Sequence, residues 1–174
     1  PAWSPDGSML AAVGGEDQIK IWSLASGQTL RTLGGDFDHI EYHCLTWLRD
    51  GIQIAAGGQD ENAQSGVITL WDVPRGQLLR ELRGQEGQVN QLALHPGGTL
   101  LASASGEGSI WIWDISNSRV TRRMEGQEKP GAVKTIAWSK VSNQAPIEGW
   151  PSWSTGVDVT ERKQAEVERE QMQE

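Results

Sequence analysis

The sequence predicts an all-β protein, an array of four-stranded antiparallel sheets, on three observations. The text around Trp3 (AWSPDG) returns as TWLRDG at Trp47, ALHPGG at Leu94 and AWSK at Trp138, in steps of 44, 47 and 44 residues. Trp22-Ser23, Trp71-Asp72 and Trp113-Asp114 each close an alternating apolar run, in phase with the first landmark. Between these landmarks, apolar runs of five or six residues alternate with Gly-rich turns, as strands of a meander do. A period of this length means a radial or stacked array rather than one ordinary core.

The strands follow in order. The first repeat predicts strands at 2–4, 9–13, 18–22 and 29–33, and the second at 42–48, 53–56, 67–71 and 77–82. The third is clearest, with VNQLAL (89–94), LLASAS (100–105), SIWIWD (109–114) and VTRRME (120–125); a fourth repeat supplies one strand at 132–138. Ser4-Pro5-Asp6-Gly7 and His95-Pro96-Gly97-Gly98 place Pro at the first central position of a tight turn, and Arg49-Asp50-Gly51 makes the same link without it. Period 2 puts Ile19 and Ile21, Ile68 and Leu70, and Ile110 and Ile112 on one face of each third strand. Trp22, Trp71 and Trp113 fall on the other face, where each wedges one sheet against the next. The nine tryptophans therefore read as packing groups rather than a ligand cage.

The strand-end Trp-Asp (Trp71-Asp72, Trp113-Asp114), the Ser-Pro-Asp-Gly turn, the phrase LLASAS and the period resemble the WD40-repeat (WD-repeat) family of β-propellers over residues 1–139. The resemblance implies a partial propeller of about three four-stranded blades plus one extra strand, whose faces hold protein or peptide partners without catalysis. The chain departs from that family's pattern. Gly34-Gly35, Gly84-Gln85 and Gly126-Gln127 stand where a Gly-His is usual, and Glu16, Ser65 and Glu107 where an Asp is usual in the second turn. Of the second-strand hydroxyls only Ser103 remains, against Ala12 and Ala56. The His-Ser-Asp-Trp network of the family is therefore expected to be absent or rebuilt. A family propeller of about seven blades would need more than this chain, so missing blades or a second copy are expected to cover its open strand edges.

Composition narrows the function. With 23 acidic against 15 basic residues and a net charge of -8, the chain lacks the basic balance of a phosphate-backbone binder. It is expected to bind no nucleic acid and no membrane, to reside in the cytoplasm and to continue upstream of Pro1. Cys44 is the single cysteine, which rules out an intramolecular disulfide and reads as a buried, inert thiol. His39 and His43 are four apart, a helical ligand spacing, in a stretch that reads as loop entering strand, so no metal site is expected. Gly14-Gly15 and Gly57-Gly58 read as turn glycines, and no nucleophile elbow or phosphate loop accompanies them. No catalytic residue, metal or cofactor is predicted.

Loop excess points to a partner site. The middle repeat carries five extra residues within 59–65, and the preceding connection, 34–41, is also long. In a propeller both would open on one face. Asp36, Phe37, Asp38, His39, Asp60 and Glu61 are then expected to form an acidic patch with one aromatic anchor, suited to a Lys/Arg-bearing peptide.

The repeat pattern stops after Trp138. Residues 140–157 read as an irregular linker rich in Ser, Pro and Trp. From 158 to 174 the chain is highly charged, and Asp158 with Glu161 resembles a capping box opening a short C-terminal helix. Residues 156–170 (GVDVTERKQAE onward) resemble the C-terminal end of a PAS domain and its outgoing signalling helix. Two functions are therefore carried forward: a non-catalytic interaction scaffold, and the input or linker portion of a PAS-containing bacterial signal transducer such as a sensor histidine kinase.

Overall fold

The computed structural model describes residues 1–14, 17–35 and 39–125. The predicted strand at 132–138, the linker and the PAS-like helix lie outside them. The described residues form twelve strands in three antiparallel sheets. The first blade holds β1 (Ala2–Trp3), β2 (Met9–Gly14), β3 (Gln18–Ser23) and β4 (Thr29–Gly34). The second holds β5 (Ile40–Trp47), β6 (Gln53–Asp60), β7 (Ser65–Asp72) and β8 (Gln77–Gln85). The third holds β9 (Val89–Leu94), β10 (Leu100–Ser105), β11 (Ser109–Asp114) and β12 (Arg119–Glu125). Each is an up-and-down meander in sequence order.

The blades stack through the faces that alternation assigns. Ile19 and Ile21 of the first blade pack with Trp71, Val67 and Ile54 of the second. Ile68 and Leu70, on the other face of β7, pack with Trp111 and Trp113 of the third. The rule is one interface used twice: an Ile face meets the Trp face of the next sheet. The first strands run side by side, with β5 packed against both β1 and β9, and the Trp47 indole N–H donates across the first seam to the Ala2 carbonyl at 3.1 Å.

All three third strands share one irregularity. The register with the fourth strand slips immediately before the Trp, between Ile21 and Trp22, Leu70 and Trp71, and Ile112 and Trp113. Leu30, Leu79 and Thr121 are the surplus residues, a β-bulge repeated three times.

The middle blade corrects the predicted loop. Instead of five extra loop residues, β6 and β7 are eight residues long and remain paired to Asp60↔Ser65, leaving only 61–64 as turn. Gly57 and Gly58 are strand residues, not turn residues. A Cβ on Gly58 would lie 1.8 Å from the Glu41 carbonyl oxygen, and one on Gly57 would lie 2.6 Å from Val89 Cγ1. The β5 bulge between Tyr42 and Cys44 and the first strand of the next blade press on this ribbon, so only glycine admits them.

Candidate functional site

The two unusual connections meet. The Glu61 amide donates to the His39 carbonyl at 2.7 Å, tying the β6–β7 turn to the segment entering β5. His39 Nε2 lies 3.9 Å from Asp60 Oδ2. Asp36, Phe37 and Asp38 lie outside the described residues. Glu61 is exposed, whereas Asp60 is 3% exposed and holds the turn from beneath. Its Oδ1 accepts the Asn62 and Ala63 amides, each at 3.0 Å, and its Oδ2 accepts Arg83. The Arg83 hydrogen bond, followed by those of the turn amides, holds the Asp60 carboxyl below the ordinary carboxylate range. Asp60 thus contributes to the rim by shaping it, since its charge is committed to Arg83. Arg83 also donates from Nε to Glu81 at 2.6 Å. Sequence reasoning passed over this arginine, which lies one residue beyond the predicted end of the strand at 82 and pairs with Val67 on β7.

Cys44 is largely withdrawn from solvent, with its Sγ 3.6 Å from the Gly57 carbonyl and 3.5 Å from that of Val89. Burial pushes its thiol up to about 12, which keeps it protonated and unreactive. His39 and His43 do not converge with other ligands: no group of three or more His, Cys, Asp or Glu side chains among the described residues is placed to hold a metal.

Beside the rim, the expected tetrad is rebuilt. In the third blade, Trp113 Nε1 donates to Ser103 Oγ at 2.8 Å, and Ser103 Oγ donates to Gln85 Oε1 at 2.5 Å. Gln85, in the place of the usual His, serves as acceptor. In the second blade, where Ala56 removes the hydroxyl, its cross-strand partner Thr69 restores it. Trp71 Nε1 donates to Thr69 Oγ1 at 2.9 Å, and Thr69 shares a 3.1 Å contact with the Tyr42 hydroxyl. Lys20 stands opposite Ala12 in the first blade, and neither can repeat this bracing of the indole.

The model of the WD domain, G-beta repeat, matches residues 2–23 and 76–114. The chain carries WD repeats. The matched segments leave out β4 to β7, among them the strand that carries Thr69. Among curated relatives, the Periodic tryptophan protein 2 homolog of Schizosaccharomyces pombe is 37% identical over 71 residues, 41% of this chain and 8% of the relative. Periodic tryptophan protein 2 of Saccharomyces cerevisiae is 28% identical over 151 residues, 63% of this chain and 16% of the relative. The U5 small nuclear ribonucleoprotein 40 kDa protein of Bos taurus is 30% identical over 84 residues, 47% of this chain and 22% of the relative. The WD-repeat chain therefore aligns with less than a quarter of each. The crystal structure of RRP9 WD40 repeats superposes with a TM-score of 0.62 at 23% identity, covering 71% of this chain and 37% of that one. That likeness establishes the fold, a partial propeller of three blades over the described residues.

Proposed function

We propose that this WD-repeat chain is a non-catalytic scaffold that docks a protein or peptide through the rim at His39 and the 61–64 turn, together with the adjoining residues 36–38 in the sequence. The observation that carries the reading is the Glu61–His39 hydrogen bond, which ties the β6–β7 turn to the segment entering β5. Asp36, Asp38 and Glu61 supply charge for a Lys- or Arg-bearing partner, Phe37 an apolar anchor and His39 a polar edge, while Asp60 fixes the turn. Loops on a rigid sheet scaffold are where such proteins vary and bind. The division into blades over 1–139, a linker over 140–157 and a charged helix over 158–174 belongs to the same proposal. So do a cytoplasmic location, the absence of nucleic-acid binding, and the need for further blades or a second copy at the open sheet faces. The signal-transducer alternative rests on residues 156–170, and no specific observation favours it.

The test replaces Asp36, Asp38 and Glu61 together by Ala in the full chain and keeps Asp60, so that the turn survives. Loss of captured partners, with an unchanged unfolding midpoint, supports the reading. An unchanged partner set would dispose of it.

A further inference from the structure

A second opening lies on the same rim, at the seam between the second and third blades. It is a cleft of about 830 Å³ into which the β6–β7 turn, the β8–β9 link and the β10–β11 turn converge. Its lining is polar, with the amides of Gln64, Gln85 and Gln88 and the carboxylates of Glu86 and Glu107. Gln85 stands out among them. It is 1% exposed, and its Oε1 is occupied by Ser103, yet its Nε2 has no hydrogen-bond partner. A buried amide donor left unmade costs free energy, about 1–3 kcal/mol. The Trp113–Ser103–Gln85 chain ends on Oε1 and leaves Nε2 without an acceptor among the described residues.

The carboxylates divide in the same way. Glu86 is taken by Arg123 at 2.9 Å. Glu107 is exposed and forms no ion pair among the described residues, and its side chain lies over Gly87, whose φ of +67° and missing Cβ admit it. A Cβ on Gly87 would come within 2.6 Å of Glu107 Cγ, so the glycine leaves room for this side chain over the link. Two lining residues thus carry groups without a partner among the described residues, the buried Nε2 of Gln85 and the carboxylate of Glu107.

We propose that this cleft is a peptide subsite, in which Gln85 Nε2 donates to a main-chain carbonyl and Glu107 receives the ammonium or guanidinium of the same residue. The proposal rests on the partner class inferred above but uses none of the same side chains. It goes beyond that reading in assigning a main-chain contact to a position where the family has His.

The experiment titrates the ¹⁵N-labelled full chain and follows the Gln85 side-chain NH₂ signal, assigned by its disappearance in Gln85→Leu. The probes are N-acetyl-lysine methylamide, N-acetyl-norleucine methylamide, which lacks the charge, and n-butylammonium, which lacks the carbonyl. The lysine amide is expected to shift the signal saturably, and the norleucine amide to do so about two- to fivefold more weakly, as a partly exposed ion pair implies. Butylammonium should leave it in place. Glu107→Gln should weaken the lysine amide to the norleucine level and leave the norleucine amide unchanged. A Gln85 signal indifferent to both amides, or one that responds to butylammonium alone, overturns the proposal. So does a shift on Glu107→Gln before any probe is added, since Gln85 would then be donating to Glu107. These readouts stand apart from the capture experiment on Asp36, Asp38 and Glu61, so either idea can fail while the other survives.

Discussion

The second and third blades hold equivalent tryptophans by different means. Trp71 ends in a closed local arrangement, where Thr69 lies two residues back on the same strand and Tyr42 completes it from β5. Trp113 ends in a relay that leaves its own strand, through Ser103 on β10 to Gln85 at the end of β8 in the neighbouring blade. The first arrangement braces a sheet. The second also sutures a seam, and it leaves a proton donor to spare. Between these two blades the position of the indole is kept while the chemistry that holds it differs.

The largest effect should come from removing the indoles themselves. Trp113→Ala and Trp71→Ala, both buried on a blade interface, should each cost about 3–5 kcal/mol in urea unfolding. Trp22→Ala, at the same register position but only half-buried, should cost about 1–2 kcal/mol. Equal losses at all three would break the comparison, because burial by a neighbouring blade would then not matter.

Next come the braces. Ser103→Ala strands both the Trp113 N–H and Gln85, an expected cost of about 1–3 kcal/mol. Adding Gln85→Leu should cost less than the sum of the single changes, a coupling that a thermodynamic cycle reads directly. Thr69→Val tests the closed brace; if it couples to Gln85→Leu as Ser103 does, the two networks are not separate.

Acid should act on every blade. Asp6 is held at about 2, first by its hydrogen bond from Ser4, and Asp72 and Asp114 are lowered by Arg75 and Ser116 respectively. These carboxyls sit below their unfolded values, so the unfolded chain takes up protons first as pH falls. Their stabilisation is therefore complete above about pH 4 and is lost as pH descends through the folded values. A urea midpoint that is level at neutral pH and drops below 4 is the expected result.

The smallest effect should be local. Asp60→Asn weakens the Arg83 pair beneath the 61–64 turn, and cleavage of that turn by a protease should quicken while the global midpoint moves less than in Ser103→Ala. A midpoint shift as large as that of Ser103→Ala would mean that the rim belongs to the core of the middle blade.

Most of the architecture was legible because strands here obey a period of two and a repeat of about 44 residues. The end of β11 at Asp114 and of β12 at Glu125, and the wedge positions of Trp71 and Trp113, follow from those periods. What escaped was governed by contacts between distant segments. Gly57 and Gly58 looked like a turn because glycine's usual role is local, whereas here the need comes from Glu41 and Val89 pressing from other strands. Asp60 looked like a free surface charge because Arg83 is 23 residues away in sequence. Gln85 was noticed only as a missing His. Its use as acceptor depends on where Ser103 points, and no sequence pattern contains that direction.

The bulge repeated before each Trp has a mechanical outcome. One surplus residue on the outer strand rotates the next side chain, an arginine in all three blades, relative to the sheet: Arg31, Arg80 and Arg122. Arg80 Nη1 reaches the Ile115 and Ser116 carbonyls of the following blade, each at 3.0 Å. Arg31 reaches the β7–β8 turn so closely that a Cβ on Gly76 would fall 2.9 Å from its guanidinium. The outermost ribbon therefore works as a latch, gripping the hairpin tip of its successor around the circumference. Deleting a single residue there would turn the arginine away and loosen two sheets at once, although no core side chain had changed.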